Sequence, residues 1–354
     1  MLAKNVVIVG GGITGVATSY FLAQRGVAAT VIDPVGIAPA ASGKAGGFLA
    51  LDWNDGSPTG ELTRKSFALH EKLAKEFGGE TIDYRRLTCE AVGVSGTLQQ
   101  KKAAGLQWAD LGVVGSRPMG DESTIAQVHP KKLCDALWAE AQKAGAKLML
   151  ARAEGIEVDA ASRCVSGVRL SGGSSVDADA VLLAMGPWSP AWLGLPKAFG
   201  QLYHSLLMRP ERTLSQCVFF QGLGDPEVYP RPDGTVYVTG FPDPPAMVSE
   251  APGEVSVREE VVGRLASAMG QVSSELQPEV APIEVRQACH LPLVQDGLPC
   301  LGAVPGTSGA FVATGAGCWG ILLGPATGQA MAELILDGKP SSVDLKPFDP
   351  ARFA

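Results

Sequence analysis

The sequence lacks several features that mark broad classes of protein. No apolar run reaches the roughly 18 residues that a membrane-spanning helix needs, and no cluster of Lys and Arg interrupts a chain whose net charge is −7. Nucleic acids and anionic membrane surfaces are therefore unfavourable partners. The four histidines are isolated from one another and the seven cysteines form no C-x-x-C pair, so we expect no metal site.

The cysteines also bear on location, and the chain length bears on domain count. An odd number of scattered cysteines predicts free thiols in a reducing compartment, and the first core strand begins too early to leave room for a signal peptide. We therefore expect a cytoplasmic protein. A chain of 354 residues, of which 46% are hydrophobic, exceeds the size at which single cores usually divide and predicts two lobes.

A glycine motif near the N-terminus is the most informative feature that is present. The β-branched run Val6–Val9 predicts a strand buried on both faces, and Gly10, Gly12 and Gly15 follow it with G-x-G-x-x-G spacing. A helical segment and a second apolar strand come next, and that strand ends at Asp33. Strand, turn, helix, strand and acid in this order are the context in which the motif binds a dinucleotide.

Each residue of the motif has a physical role. Gly10 permits a tight turn, Gly12 lets the backbone touch a pyrophosphate, and Gly15 lets the helix pack close to the strand. The phosphates would lie at the positive end of the helix, and the Asp33 carboxylate would accept hydrogen bonds from ribose hydroxyls. The alternative is a glycine turn with a purely structural role.

Two further glycine-rich segments accompany this motif. Residues 38–48 are too weakly periodic for an ordinary helix or strand, so they predict either a loop that binds an anion or a plain surface loop. Residues 310–337 predict a strand, a glycine-rich turn and a helix, which place a second helix N-terminus near the same sheet edge. Other predicted helices are 60–77, 130–143 and 254–269, and other predicted strands are 147–150, 154–159, 163–170, 180–185, 216–221 and 235–240.

Four separated segments together resemble the D-amino-acid oxidase superfamily of FAD enzymes, a group that includes glycine oxidase and sarcosine oxidase. They are residues 6–33, 128–153, 180–189 with Ala-Met-Gly-Pro-Trp-Ser, and 289–337 with Asp-Gly-Leu-Pro-Cys-Leu-Gly and Gly-Ala-Gly-Cys-Trp-Gly-Ile. Residues 42–48 and 318–321 look most similar to an uncharacterised subgroup of FAD oxidoreductases.

The resemblance implies an α/β fold with two interleaved domains. A Rossmann-like FAD-binding domain of the glutathione-reductase type would comprise residues 1–83, 130–195 and 286–354. A mixed antiparallel β substrate domain would comprise residues 84–129 and 196–285.

The resemblance also implies a set of cofactor contacts. The glycine motif would hold the ADP half of FAD, and the last glycine-rich turn would direct N–H groups at the flavin, where they stabilise its reduced anionic form. The residues implied to bind FAD are Gly10, Gly12, Ile13, Thr14, Gly15, Asp33, Pro34, Ser42, Gly43, Lys44, Ala45, Gly46, Gly47, Phe48, Ala153, Ala184, Gly186, Pro187, Trp188, Gly315, Gly317, Cys318, Trp319, Gly320, Ile321 and Leu322.

Two positions depart from relatives that oxidise amino acids. Cys289 occupies the position where some sarcosine-oxidase-like members attach flavin covalently, but we expect a buried thiol and non-covalent FAD. Leu291 stands where an Arg usually grips the substrate carboxylate. Arg209, Arg231 and Arg286 do not match that motif, so simple amino-acid oxidase activity is not expected.

Three residues are candidates for catalysis beyond the cofactor. Lys44 would favour reduced flavin or help O₂ accept electrons, or else neutralise the pyrophosphate or lie exposed. His204 would face the substrate cavity or have a structural role. Trp319 would pack against the flavin, wall the pocket or belong to the core.

The favoured function is FAD-dependent oxidation of a C–N or C–O bond in a small molecule, with hydride transfer to flavin and reoxidation by O₂. A second hypothesis is an FAD-binding scaffold, trafficking or regulatory protein with little turnover. A third, an NAD-dependent dehydrogenase, is disfavoured because simple NAD folds have no need of the segments at 186–189 and 317–321. The sequence does not indicate an oligomeric state.

Overall fold

The computed structural model describes residues 5–95 and 105–354. The helices in these ranges are α1 Ile13–Ala23, α2 Ala41–Lys44, α3 Gly60–Phe77, α4 Pro130–Lys143, α5 Glu259–Val272 and α6 Gly320–Asp337. The strands are β1 Val6–Val9, β2 Thr30–Asp33, β3 Phe48–Ala50, β4 Arg85–Arg86, β5 Cys89–Val94, β6 Val113–Gly120, β7 Ile125–Gln127, β8 Lys147–Leu150, β9 Ala153–Val158, β10 Val165–Leu170, β11 Ser175–Asp177, β12 Ala180–Leu183, β13 Phe199–Met208, β14 Cys217–Gln221, β15 Glu227–Pro230, β16 Val236–Gly240, β17 Ile283–Leu293, β18 Cys300–Ala303 and β19 Ala310–Thr314.

The glycine motif belongs to a six-stranded sheet in the order β18-β19-β12-β1-β2-β8, which is parallel except for the edge strand β18. Val6 and Ile8 face the core formed with α1, α3, α4 and α6, whereas Val7 and Val9 face the core formed with β9 and β10. Burial on both faces is why β1 is a continuous apolar run. The resulting three layers confirm the predicted Rossmann-like FAD-binding fold.

Helix α6 lies against α1 because its glycines allow a close approach. A Cβ on Gly328 would lie 2.5 Å from the Ala17 side chain and 2.6 Å from its backbone, and one on Gly324 would lie 2.4 Å from Ile13. At Gly338, with φ of 75°, α6 ends as predicted, because this left-handed conformation favours glycine.

The second lobe is built on a seven-stranded sheet in the order β17-β13-β16-β15-β14-β5-β6, mostly antiparallel. One face packs on α5 and the other is turned toward the first lobe. Strand β17 pairs with β13 as far as Leu293, so the boundary predicted at 285/286 would cut a strand. The division of the chain into domains stays a prediction.

Most predicted elements coincide with observed ones, and two differ. Helices α3 and α4 and strands β8 and β19 have the predicted bounds. Residues 38–48 contain the short helix α2. In this helix the backbone N–H groups of Gly43 and Lys44 donate to the Ala40 carbonyl. Helix α5 begins at Glu259 rather than 254, and His204 accepts the backbone N–H of Arg258, the residue just before the helix.

Pro325 interrupts the hydrogen-bond ladder of α6, and α3 fills the gap. Proline has no N–H, so the carbonyl of Ile321 has no helical donor. His70 Nε2 lies 3.0 Å from that carbonyl oxygen and 3.3 Å from the carbonyl oxygen of Leu322. The Ser66 hydroxyl accepts the N–H of Ala326 at 3.1 Å. These bonds fix the first turn of α6, and because His70 is fully buried its pKa falls to about 4.

We predict that this histidine makes stability depend on pH. The folded protein keeps His70 neutral down to about pH 4, whereas the unfolded chain takes up a proton near pH 6.5. The free energy of unfolding should therefore decrease as pH falls from 6.5 to 4, by up to about 1.4 kcal/mol per pH unit for each such histidine. Burial also lowers the pKa of His129 to about 4, so His129 adds to the effect.

The test is urea unfolding at several pH values and fixed FAD concentration. His70→Gln keeps a hydrogen-bond donor but has no side chain that titrates. Between pH 6.5 and 4, the slope of its unfolding free energy against pH should therefore correspond to about one proton fewer taken up on unfolding. Between pH 7 and 8 both proteins should show the same slope. An unchanged slope below pH 6.5 in the variant would contradict the assignment.

Candidate active site

A cavity of about 510 Å³ lies at the carboxyl ends of β1, β2, β12 and β19, next to the N-termini of α1 and α6. This is the edge at which open α/β sheets bind ligands. Most residues implied to bind FAD line it: Gly10, Gly12, Ile13, Thr14, Asp33, Pro34, Ser42, Ala45, Ala153, Ala184, Gly186, Pro187, Trp188, Gly315, Gly317, Cys318, Gly320 and Ile321.

Gly10 and Gly15 are closely packed against backbone, and Gly10 and Gly12 both border the cavity. Gly10 has φ of 115°, and a Cβ there would lie 2.2 Å from the Ala184 carbonyl oxygen. A Cβ on Gly15 would lie 2.1 Å from the Gly10 carbonyl oxygen. Gly12 lines the cavity, and the nearest atom to its Cβ position is the Ser42 hydroxyl oxygen at 3.1 Å. The open side of Gly12 is the space that a pyrophosphate needs.

The Asp33 carboxylate holds the turn in place. Its Oδ2 accepts the Gly11 N–H at 2.9 Å, and its Oδ1 accepts the N–H groups of Val35 and Gly36, each at 2.9 Å. Asp33 also lines the cavity, so a ribose can reach its remaining acceptor positions. Its contact with ribose stays a prediction.

Ser42 joins the second glycine-rich segment to the first. Its hydroxyl accepts the Ile13 N–H at 3.0 Å, which satisfies one of the free donors at the start of α1. Spacing along the chain gave no signal for this bond, because 29 residues separate the two partners.

Ala45 and residues 38–41 of this segment also line the cavity, whereas other residues hold the segment against other parts of the protein. A Cβ on Gly46 would lie 2.2 Å from the Tyr229 ring, and one on Gly47 would lie 1.9 Å from the Val128 carbonyl oxygen. Lys44 Nζ donates to the Ala288 carbonyl at 3.0 Å. Gly15, Gly43, Lys44, Gly46, Gly47, Phe48, Trp319 and Leu322 are absent from the cavity lining.

The far end of the cavity is formed by the last glycine-rich turn and by β17. The 3-10 turn Gly317–Trp319 leads into α6, and Leu291 and Pro292 line the same end. Cys318 lines it too, and burial together with the charge of Glu227 raises the pKa of its thiol to about 11. Burial likewise raises the pKa of Cys289 to about 11, so at neutral pH it is a thiol and a poor nucleophile.

His204 lies on the wrong face of its strand for a catalytic role. Its neighbours Leu206 and Met208 face the core around α5, and His204 shares that face. It is fully buried, accepts the Arg258 N–H at 3.0 Å, and does not line the cavity. The structure therefore supports the structural interpretation of this histidine.

The three arginines considered as carboxylate binders are engaged elsewhere. Arg209 pairs with Glu284 at the surface, and Arg286 lies 3.8 Å from Glu259. Arg231 is buried, donates to the Ala45 carbonyl at 2.9 Å, and lies 5.4 Å from the centre of the Tyr237 ring. None of the three lines the cavity among the residues that the structure describes.

Aromatic side chains form a continuous cluster beside the glycine-rich turn. Trp53 lies between Trp319, at 6.3 Å between ring centres, and Phe219, at 5.2 Å. Phe48 stacks on Tyr229 at 5.4 Å. The aromatic cluster comprises Phe48, Trp53, Phe219, Tyr229, Tyr237 and Trp319. Sequence reasoning missed Trp53, in the turn after β3, and Phe219, on β14, because only the tertiary fold brings them to this turn.

Three groups outside the cavity are spaced closely enough to hold a metal ion, although no metal site was expected. Ligand atoms of Asp83, His129 and Asp233 lie within 4.8 Å of one another. Asp83 pairs with Lys132 at 2.7 Å, and Asp233 accepts the N–H and hydroxyl of Thr235. The two carboxylates therefore already have protein partners.

No helix within residues 5–95 and 105–354 combines the length and apolarity that crossing a bilayer requires. A family model for FAD-dependent oxidoreductases, named DAO, matches residues 5–334. The oxidoreductase C1F5.03c of Schizosaccharomyces pombe is 32% identical over 98% of both chains. Glycine oxidase of Geobacillus kaustophilus is 27% identical over 98% of this chain and 97% of its own.

Solved structures support the same fold. The crystal structure of the Geobacillus kaustophilus glycine oxidase matches with a TM-score of 0.82 at 24% identity, over 99% of this chain and 98% of that chain. The crystal structure of iminodiacetate oxidase from Chelativorans sp. BNC1 matches with a TM-score of 0.79 at 19% identity, over 98% of both chains. The chain therefore belongs to the DAO family of FAD-dependent oxidoreductases.

Proposed function

We propose that this enzyme binds FAD non-covalently and oxidises a C–N bond of a small amine, with O₂ as the electron acceptor. The observation that carries the proposal is the open side of Gly12, which faces a cavity that continues from Asp33 to the turn Gly317–Trp319. Glycine oxidase and iminodiacetate oxidase, which share the fold, are named for the oxidation of amines.

The residues around the cavity fit the parts of FAD. The free N–H groups at the start of α1 and the open side of Gly12 suit the pyrophosphate, and Asp33 suits a ribose. The turn Gly317–Trp319 and the start of α6 offer donors to the flavin edge. The neutral thiol of Cys289 supports non-covalent binding.

The reaction needs an acceptor for two electrons and a site that excludes water. When bound, FAD would accept a hydride from the substrate carbon. O₂ would then take up the two electrons and be reduced to hydrogen peroxide. The substrate nitrogen loses a proton, and water hydrolyses the resulting C=N bond after release. The aromatic cluster, which includes Trp319 of the glycine-rich turn, would shield this end of the cavity from water. Lys44 remains our candidate for assisting O₂, although its Nζ donates to Ala288.

We further propose a cytoplasmic location, which rests on the scattered cysteines of the sequence. The scaffold hypothesis depended on the loss of the arginine at Leu291. A scaffold would leave the flavin oxidised with every amine, so a panel of amines tests the scaffold hypothesis.

We predict that the protein purifies yellow with one FAD per chain and that Gly12→Val yields folded but colourless protein. The valine side chain would fill the space of the pyrophosphate and press on the Ser42 hydroxyl. The matched control is Gly263→Val, because Gly263 is exposed on α5 and has no atom within 4 Å of its Cβ position. Absorbance at 450 nm and circular dichroism would measure flavin content and folding. Full FAD occupancy in Gly12→Val would refute the proposed site.

We predict that acid precipitation releases all of the flavin into the supernatant. Cys289 is the residue whose position matches covalent attachment in related enzymes, and its raised pKa leaves the thiol uncharged. Wild type and Cys289→Ser should behave alike. Yellow colour that stays in the wild-type pellet and disappears in Cys289→Ser would show that the attachment is covalent.

We predict that glycine, sarcosine and common D-amino acids reduce the flavin poorly, whereas an amine without a carboxylate reduces it faster. Loss of a charge-assisted contact of about 1.5–3 kcal/mol at Leu291 lowers affinity roughly 10- to 150-fold. Anaerobic mixing with a panel of amines, followed by flavin bleaching, measures this directly. Leu291→Arg should gain affinity for glycine. Fast bleaching of the wild type by glycine would contradict the inference from Leu291.

A further inference from the structure

One acidic side chain lies within reach of the aromatic cluster and the last glycine-rich turn. In the register of the sheet, Glu227 on β15 stands opposite Phe219 on β14 and Thr239 on β16. Residues that stand opposite one another share a face, so Glu227 faces the first lobe together with Phe219. Its charge contributes to the raised pKa of Cys318, which lines the far end of the cavity. The Tyr229 hydroxyl donates to Glu227, and Tyr229 belongs to the aromatic cluster that reaches Trp319 of the turn. Glu227 therefore lies near the end where we expect the flavin.

The Glu227 carboxylate lacks a cationic partner among residues 5–95 and 105–354. Its Oε2 accepts a hydrogen bond from the Tyr229 hydroxyl, and no Lys, Arg or His of the described part of the chain forms an ion pair with it. Burial raises the pKa of this carboxyl. A carboxylate held away from water without a counter-charge is unfavourable, and a bound cation would relieve that cost.

The surrounding rings differ in how much of their surface is exposed. Tyr229 and Tyr237 are closely packed, with 6% and 5% of their surfaces exposed. Phe48, Trp53, Phe219 and Trp319, in contrast, each keep accessible surface, as Glu227 does. The faces of aromatic rings attract cations, most strongly where water is excluded. A carboxylate beside partly exposed aromatic side chains has the chemistry of an ammonium site.

We propose that the substrate is a small amine cation without a carboxylate group, whose ammonium is recognised by Glu227 and the aromatic cluster. This inference rests on the proposed oxidation of an amine at the same site and names the class of amine. Glu227 is then a specificity-determining residue that selects the substrate by charge.

The same site disfavours anionic substrates. A carboxylate would meet the negative charge of Glu227 and the apolar side chain of Leu291. Arg231 is committed to the Ala45 carbonyl, and Arg209 to Glu284. The loss of a cation at Leu291 and the presence of an anion at Glu227 therefore act in the same direction on specificity.

The test uses the FAD-loaded enzyme and two small ions of opposite charge. Tetramethylammonium has no lone pair on nitrogen and cannot be oxidised to a C=N bond, so it reports binding without turnover. Isothermal titration calorimetry should show that tetramethylammonium binds and that acetate does not, with sodium chloride as the ionic-strength control. Tetramethylammonium should also perturb the flavin spectrum and compete with amines that bleach it.

Glu227→Gln should lower the affinity for tetramethylammonium about 10- to 100-fold. The matched control is Glu90→Gln, because Glu90 is a buried glutamate on β5 of the same sheet and stands opposite Val218, on the face toward α5. This control should bind tetramethylammonium like the wild type. Phe219→Leu removes a ring but keeps apolar bulk, and should lower affinity about two- to tenfold, which provides a second test should Glu227→Gln fail to fold.

The outcomes separate this inference from the proposed function. Equal affinity for tetramethylammonium in wild type and Glu227→Gln, or tighter binding of acetate than of tetramethylammonium, would overturn the inference. A protein that binds tetramethylammonium through Glu227 but is reduced by no amine would refute the oxidation and leave the cation site standing. Rapid reduction of the flavin by glycine without tetramethylammonium binding would refute the cation site and leave the oxidation standing.

Discussion

The hydrogen bonds of the Asp33 carboxylate are the constraint on which the cofactor cavity depends. One carboxylate accepts backbone N–H groups from Gly11 on one side and from Val35 and Gly36 on the other. It thereby ties the turn after β1 to the end of β2, two segments that the parallel sheet brings together. Because the turn is held from this side, Gly12 keeps its open side toward the cavity. An acid expected to bind a ribose thus also shapes the pyrophosphate site.

The other end of the cavity depends on an interrupted helix. Pro325 deprives the start of α6 of a backbone donor, and His70 replaces it from α3. Gly324 and Gly328 let the same helix approach α1 closely. The two helix N-termini that flank the cavity are therefore packed against each other and share one core. Their relative position is fixed by backbone approach, which tolerates little change in side-chain size.

Features that depend on neighbours in the chain were predictable from the sequence. The bounds of α3 and of β19 follow from periodicity and from capping glycines, and the motif from Gly10 to Asp33 combines local steps of known geometry. Features that depend on strand register were not predictable. The contact of His204 with the Arg258 N–H joins residues 54 positions apart, and the placement of Glu227 opposite Phe219 and Thr239 depends on the register of neighbouring strands.

The candidate site illustrates this difference most clearly. Leu291 was informative in the sequence, because a missing charge can be noticed in a known motif. Glu227 was silent, since a lone glutamate in a polar stretch is ordinarily a solvated side chain. Only the fold shows that Glu227 is half-buried beside Tyr229 without a cationic partner in the described part of the chain. The two positions belong to different strands: Leu291 on β17 lines the cavity, and Glu227 on β15 lies beside the aromatic cluster. A change of charge at Leu291 or Glu227 leaves the cofactor site intact, because the residues that would hold FAD lie on the sheet edge and on α1 and α6. Substrate specificity can therefore change on the second lobe without disturbing the cofactor site on the first.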